Sequence, residues 1–505
     1  MPTTVTFILT SFYTMESSQP PAQQPQGSVP LGLRYNLGIS DSVPAERHLR
    51  RFQAENPSTF TATNNVVRIP VSSENFLDLR HAVLGFDLKN STATDSQFLD
   101  GGASCVIQRL RVLSASGREL ERLEQFNMLS SILDQYAGSM TSQISDDVLK
   151  GGPARLDMSP IMFSGDGTGG TGTATAASGL TVAASTGGTM SIVNANGGKG
   201  YDQKQTTLLA TGVTRHFEMP LRASGWFNSG AAKLLPPRSS FVLELTLAPA
   251  IQAFARASGT ATQSYECTNF ICSIPSVMVR DPGFNAAMEA RLAQGVKWSA
   301  TSYDHHVNTS ASGAGRDVVQ ISARCKELKG LMTVFRIQEK IGSAAEFQSS
   351  RRSIQYLSQY QYQVGSQNYP SHQIDLSTDT TAGGTAAKTR LAIAATADLN
   401  IAEAYSEVQR LFGNLAVQSG ATCVIGAEPF AQSENNNGCG LIGVDLSAFS
   451  DGSVMSGINT RDSALPVQLE FTKTAAVNKV VQLDSYAVKT VTYIRDPSGE
   501  LMADY

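Results

Sequence analysis

The feature that most restricts how this chain can fold is an internal echo. Val277-Met278-Val279-Arg280-Asp281-Pro282-Gly283 returns near the end as Thr492-Tyr493-Ile494-Arg495-Asp496-Pro497-Ser498-Gly499. Each copy reads as a strand ending in Arg-Asp, then a proline whose nitrogen cannot donate to a ladder and which turns the chain away. Other strand-like runs recur in the same order. Val66-Val67-Arg68-Ile69 is echoed by Val318-Val319-Gln320-Ile321, the run 82–88 by 331–337, and the alternating Phe241, Leu243, Leu245 and Leu247 by Leu465, Val467, Leu469 and Phe471. The chain therefore divides into two similar halves. Val66 and Arg280 of the first stand 214 positions apart, and Val318 and Arg495 of the second 177. The excess of 37 equals the length of a Gly/Ser/Thr/Ala-rich run at 164–200, so one insertion accounts for the difference.

Both halves read as β. Charged residues make up 16% of the 505, against a usual quarter or so. Branched and aromatic residues come in short alternating runs separated by turn signals such as Gly101-Gly102 and Ser116-Gly117. Two stretches carry helical spacing instead. Phe126, Leu129, Leu133 and Tyr136 predict a helix covering an open end or side of the first half. Asn400 as cap, Glu403 three residues on, the stripe Ile401, Tyr405, Val408 and Phe412, and Gly413 as stop predict another in the second half.

Between the halves, Asp281 is placed to cap, Pro282 to take the first helical position, and Phe284, Met288 and Leu292 to share one face before Gly295 ends the run. The expected organisation is an irregular, flexible arm at 1–55, rich in Pro and Gln, then a first β domain at 56–281. A connector helix at 282–296, a second β domain at 297–496 and a tail at 497–505 follow. Arg280, Asp281, Pro282, Gly283, Phe284, Met288 and Leu292 form the expected seam between the domains, a structural site.

Net charge is −4 with a pI near 5.9, which is not the basic field of a protein that coats nucleic acid. In the arm, Arg34, Arg47, Arg50 and Arg51 are cancelled by Glu16, Asp41, Glu46 and Glu55. The six cysteines show no C-x-x-C spacing and read as buried free thiols. The apolar run 5–13 is too short to span a bilayer and has no positive flank before it.

No residue pattern carries catalysis, a cofactor or a metal. Gly165, Gly167 and Gly170 match G-x-G-x-x-G, but no apolar strand leads in and no helix leads out. Asp304-His305-His306 lacks a visible third ligand and reads as a turn with solvated side chains. No G-x-S-x-G elbow is present, and Asp146-Asp147 reads as a solvated pair, not as carboxylates facing across a cleft. Asn90-Ser91-Thr92 and Asn308-Thr309-Ser310 match the glycosylation sequon by chance. Trp226-Phe227 and the tyrosines of 356–362 read as packing, since few basic residues interleave them.

With Asn64-Asn65-Val66-Val67-Arg68-Ile69-Pro70-Val71, Phe76-Leu77-Asp78-Leu79, Gly102-Ala103-Ser104 before Ile107-Gln108-Arg109-Leu110-Arg111-Val112, Gly117-Arg118-Glu119-Leu120-Glu121 and Tyr360-Gln361-Tyr362-Gln363-Val364-Gly365, the sequence resembles the double jelly-roll major capsid proteins of polinton-like viruses and their virophage relatives. That resemblance implies an all-β fold of two tandem eight-stranded jelly rolls with short side helices. It implies a non-enzymatic subunit forming a homotrimer with a pseudo-hexagonal outline, which tiles an icosahedral virion shell. Its partners would be neighbouring capsomers, penton proteins and minor capsid proteins, with no sequence-specific nucleic acid binding. The alternatives are a carbohydrate-binding β-sandwich protein, expected to carry a concave aromatic platform, and a minor capsid or spike protein.

Overall fold

The computed structural model describes residues 44–56, 59–94, 97–138, 149–151, 172–175, 180–183, 191–192, 208–229, 234–256, 262–343, 348–350, 352–354, 357–376, 391–393, 397–399, 401–413, 430, 439–448, 456–473 and 479–505. Sixteen strands build its framework. The first eight are β1 (Ala45–Gln53), β2 (Val66–Ser73), β3 (Val83–Asn90), β4 (Ile107–Ser114), β5 (Glu119–Glu124), β6 (Thr214–Pro220), β7 (Ser239–Leu247) and β8 (Tyr265–Val279). The second eight are β9 (Val296–Ser310), β10 (Gly315–Ile321), β11 (Leu328–Ile337), β12 (Leu357–Val364), β13 (Gln367–Asp375), β14 (Ile442–Asp445), β15 (Val467–Lys473) and β16 (Val481–Arg495).

In the first half the sheets run β1-β8-β3-β6 and β2-β7-β4-β5, and in the second β9-β16-β11-β14 and β10-β15-β12-β13. Adding eight to each number of the first pair gives the second. Every framework pairing is antiparallel. Each half thus sets four framework strands against four, with the strand order of a jelly roll, and a short fifth strand is added to one sheet of each, Phe76–Leu77 beside β8 and Leu501–Asp504 beside β16. The echoes noted in the sequence fall on equivalent strands: β2 with β10, β3 with β11, β7 with β15, β8 with β16.

Alternation explains the register. On β7 every second residue from Ser239 to Leu247 is buried. Leu245 lies opposite Val67 on one side and Leu110 on the other, and in the second half Leu469 lies opposite Val319 and Tyr362. All six are buried, and each of the five aliphatic ones contributes about 1.5–3 kcal/mol by leaving water. Cys105, Cys267, Cys272, Cys325 and Cys439 are buried free thiols, while Cys423 lies outside the described residues.

One boundary differs from expectation. Residues 45–53, placed by sequence in an irregular arm, form β1 and pair along their whole length with β8, from Ala45 opposite Val279 to Gln53 opposite Ile271. The first barrel therefore starts before residue 56. Arg47, Arg50 and Arg51 belong to this strand, and Leu49 on it is 60% exposed. Both faces are largely wet, so the run lacks the alternation that marks a strand, and the ladder to β8 supplies its order instead.

The two predicted helices occupy the same connection in each barrel. Helix α1 (Phe126–Tyr136) follows β5 and precedes β6. Helices α2 (Gly225–Asn228) and α3 (Pro282–Leu292), with a single turn at Ala250–Ala253 between them, precede α4 (Ala402–Leu411), which lies between β13 and β14. The residue capping α4 is Ile401, without a side-chain cap bond; Asn400 lies outside the described residues. Helix α1 packs on the side of its own barrel, against β4 and the turn that leads into it. Its C-terminal end also meets the second half, with the Tyr136 hydroxyl donating to the Cys439 carbonyl at 3.0 Å and its ring stacked 5.6 Å from Phe412. Within the Gly/Ser/Thr/Ala-rich run, Gly172–Thr175, Leu180–Ala183 and Ser191–Ile192 pair as short antiparallel strands. Gly165, Gly167, Gly170, Asp146, Asp147, Arg34 and Tyr356 lie outside the described residues.

Candidate assembly site at the barrel seam

The connector begins as its residues dictate. The Asp281 side chain accepts from the Gly283 and Phe284 backbone N–H groups at 2.8 and 3.1 Å, and Pro282 follows at the first helical position, where no N–H is needed. Arg280 donates its backbone N–H to the Pro44 carbonyl at 2.8 Å and its guanidinium to Glu46 at 2.8 Å. Gly295, at φ +79°, turns the chain into β9. Along α3, Leu292 is buried, Met288 half-buried and Phe284 37% exposed. The rest of the helix is exposed, so α3 lies on the rim of the molecule, not inside a joint.

Under α3 runs a groove of about 460 Å³. One wall is Phe76, Pro237, Val277 and Val279 of the first barrel, another is Asn285, Met288 and Leu292, and Arg495 with Pro497 of the second barrel closes it. Phe284 sits over Phe76 with ring centres 6.4 Å apart. The seven seam residues expected from sequence thus fall at one place, but Phe284, Met288 and Leu292 meet the first barrel and the groove, not the main inter-barrel contact.

That contact was missed, and it is built on two buried carboxylates. Glu121 on β5 accepts from the backbone N–H groups of Gly225 and Trp226 at 2.8 and 3.0 Å, from the Ser224 hydroxyl, and from the Ser302 hydroxyl of the second barrel at 2.5 Å. Asp100 accepts from the backbone N–H groups of Gln348, Ser349 and Ser350 at 2.6, 2.5 and 3.0 Å and from the Ser350 hydroxyl at 2.5 Å, all across the seam. Buried Arg352 returns the link by donating to Gln135 of α1. Trp226 packs edge-on against Tyr493 at 4.9 Å, with Trp298 6.0 Å from both rings. A methyl group on Gly225 would come within 2.3 Å of the Thr301 carbonyl oxygen, so α2 and β9 touch backbone to backbone.

Electrostatics separate the seam from the second barrel's interior. Burial pushes Glu121 and Asp100 above the usual carboxylate range, although their hydrogen bonds pull the other way. Burial likewise weakens the hold of Arg352 on its proton. Inside the second barrel burial acts on Asp484 too, but Arg336 at 2.6 Å and His305 at 3.0 Å outweigh it and hold Asp484 down at about 2.

Asp304-His305-His306 is not a solvated turn: it lies within β9, with His305 bonded to Asp484 and Asp304 paired with Lys489 at 2.5 Å. Among the described residues no group of three His, Cys, Asp or Glu could hold a metal ion. Asn90 of the first sequon is buried and donates to the Leu209 carbonyl at 2.9 Å. Trp226, Phe227, Tyr360 and Tyr362 are interior side chains, which removes them from any aromatic platform.

The fold defined by this pairing is a double jelly roll. No family model and no curated protein matches the chain. Solved structures do. The VP54 protein of PBCV-1, fitted into a reconstruction of the virophage Sputnik, superposes with a TM-score of 0.55 at 10% identity, covering 93% of this chain and 99% of that one. The Faustovirus major capsid protein gives 0.54 at 9% identity, covering 91% and 92%. The Sputnik virophage structure gives 0.50 at 11% identity, covering 94% and 92%. The chain shares the fold of these viral proteins over nearly its whole length.

Proposed function

We propose that the chain is a major capsid protein that acts by geometry and not by catalysis. Three copies associate into a block of six barrels with a pseudo-hexagonal outline, and such blocks tile an icosahedral virion shell. The observation that carries this is the repetition of one strand order in two barrels joined through a buried seam. A chain with an internal near-repeat reaches hexagonal packing with three copies. The shared fold with viral capsid proteins supports it.

On this reading the seam is the working part. The connector, Arg280 to Leu292, together with Asp100 and Glu121, sets the angle between barrels and thereby the shape of the trimer. Exposed valines stand at echoed positions of the two barrels, Val66 on β2 at 38% and Val318 on β10 at 49%, and supply matching lateral contacts. An obligate trimer interface of this kind buries on the order of 2,000 Å² or more. Neighbouring capsomers, penton proteins and minor capsid proteins are the further partners.

Light scattering on purified protein tests this directly. The expected mass is three times the 53.7 kDa chain, with hexagonal particles by negative-stain microscopy. A protein that stays monomeric at assembly concentrations overturns the proposal.

A further inference from the structure

The second Arg-Asp-Pro ends differently from the first. Asp281 starts a helix, but the Asp496 carboxylate accepts from the Ser498 hydroxyl at 2.6 Å and from the Glu500 N–H at 2.8 Å, while the Gly499 N–H reaches the Asp496 carbonyl at 3.0 Å. Gly499, at φ +93°, completes a turn held by its own bonds. The chain then returns along β16, with Leu501 opposite Arg495 and Asp504 opposite Thr492. That edge of β16 is open to it because β11 leaves the ladder at Leu328, opposite Lys489.

Residues 500–505 touch both barrels. Toward the first, the Glu500 carboxylate accepts from the Ser114 hydroxyl at 2.9 Å and from that of Ser116, and the Tyr505 hydroxyl donates to the Glu119 carbonyl at 3.4 Å. Toward the second, Asp504 pairs with Lys326 and, at 3.1 Å, with Arg461, and the Lys489 ammonium stands 4.3 Å from the centre of the Tyr505 ring. Leu501, 1% exposed, shares a face with Ala503 and Tyr505, which pack on the core. An open strand edge, an apolar seat and fixed partners for two carboxylates and a ring are the parts by which a sheet recognises an extended peptide.

We propose that the groove between β16 and the β4–β5 turn is a strand-binding site. Its ligand is a short extended peptide carrying a carboxylate, a leucine, a second carboxylate and an aromatic ring at the spacing of Glu500, Leu501, Asp504 and Tyr505. In the folded chain residues 500–505 occupy it in cis, on a short tether that keeps their local concentration on the order of millimolar. Occupancy latches the β4–β5 turn of the first barrel to β16 of the second. The site stands whether or not the chain builds a capsid.

Cutting the tether in the folded, full-length protein tests it. A protease recognition sequence inserted between Ser498 and Gly499 lets the segment be cleaved and then competed out with a fluorescein-labelled Gly499–Tyr505 peptide, read by anisotropy. The labelled peptide should bind saturably, and its Leu501→Asp version at least about tenfold more weakly. Once the segment is washed out, the Ser114, Gly117 and Arg118 amides, which the β4–β5 turn protects, should exchange faster, and those of Gly225 and Trp226 should hold. Unlabelled peptide should restore the first set. Leu501→Asp in the uncut chain should speed the same three amides. A peptide that does not bind or cannot displace the cut segment, equal binding of the Leu501→Asp peptide, or unchanged exchange at Ser114, Gly117 and Arg118 would each overturn the proposal.

Discussion

The Glu121 carboxylate accepts the Ser302 hydroxyl at 2.5 Å across the boundary between barrels, 181 residues along the chain. Each of its oxygens also faces a backbone N–H, from Gly225 or Trp226. An amide in its place must turn NH₂ toward one of those donors, which cannot rotate away. Glu121→Gln should therefore cost about 2–3 kcal/mol, and denaturant unfolding is the measurement. A loss below half a kilocalorie would mean the carboxylate is not holding the seam.

Gly225→Ala isolates backbone contact from hydrogen bonding. The added methyl meets the Thr301 carbonyl oxygen at 2.3 Å and the Glu121 carboxylate at 2.9 Å. Overpacking of this kind costs about 1–3 kcal/mol or more. It should split a single calorimetric transition into two as the barrels part.

The two kinds of buried carboxylate answer pH oppositely. Asp484 is held at about 2, below the ordinary aspartate value of 3.8. Its contribution, about 2 kcal/mol, is present above pH 4 and lost as pH falls through 2. Asp484→Asn should flatten the acid limb of a stability–pH curve in that window. Asp100 and Glu121 are raised, so their contribution is full below the unfolded carboxylate range and is lost as pH rises through their folded values. Seam amides at Gly225, Trp226, Ser349 and Ser350 should then be better protected in mild acid than in base, once intrinsic exchange rates are divided out.

On α3 the apolar stripe is unequal. Leu292→Ala should cost about 2 kcal/mol, because Leu292 is 8% exposed, whereas Phe284→Ala at 37% exposure should cost under about 1 kcal/mol. Met288→Asp should leave the monomer nearly as stable as before and reveal itself in trimer yield. Intact trimers would show that the helix does not set the angle between barrels.

Much of the framework was legible because it rests on alternation. Phe241, Leu243, Leu245 and Leu247 declare β7, and their echo declares β15. Asp281-Pro282 declares the start of α3 from local chemistry alone. Strand β1 was not legible: Ala45 to Gln53 has few buried side chains, and its order comes from a ladder to residues more than two hundred positions away. Glu121 was hidden for a related reason. On β5 it takes a place that alternation gives to solvent, and it is α2, about a hundred residues on, together with Ser302 of the second barrel, that supplies its donors. Asp100 follows a short run of apolar residues and looks like any turn carboxylate until the backbone of 348–350 closes over it.

The pairing of β1 with β8 also sets a timetable. A chain made from its N-terminus cannot close its first barrel until Val279 has emerged, because β8 lies between β1 and β3 in the same sheet. Arg280-Asp281-Pro282 is the next stretch out, so the turn away from the sheet arrives just as the last strand becomes available. Until β9 and β16 follow, Glu121 lacks its Ser302 donor and Trp226 lacks Trp298 and Tyr493, leaving a half-built protein that exposes the surface it will later hide. Long-range ladders close slowly, so the same duplication that shapes the folded chain also fixes when, during synthesis, it is most exposed to the wrong neighbour.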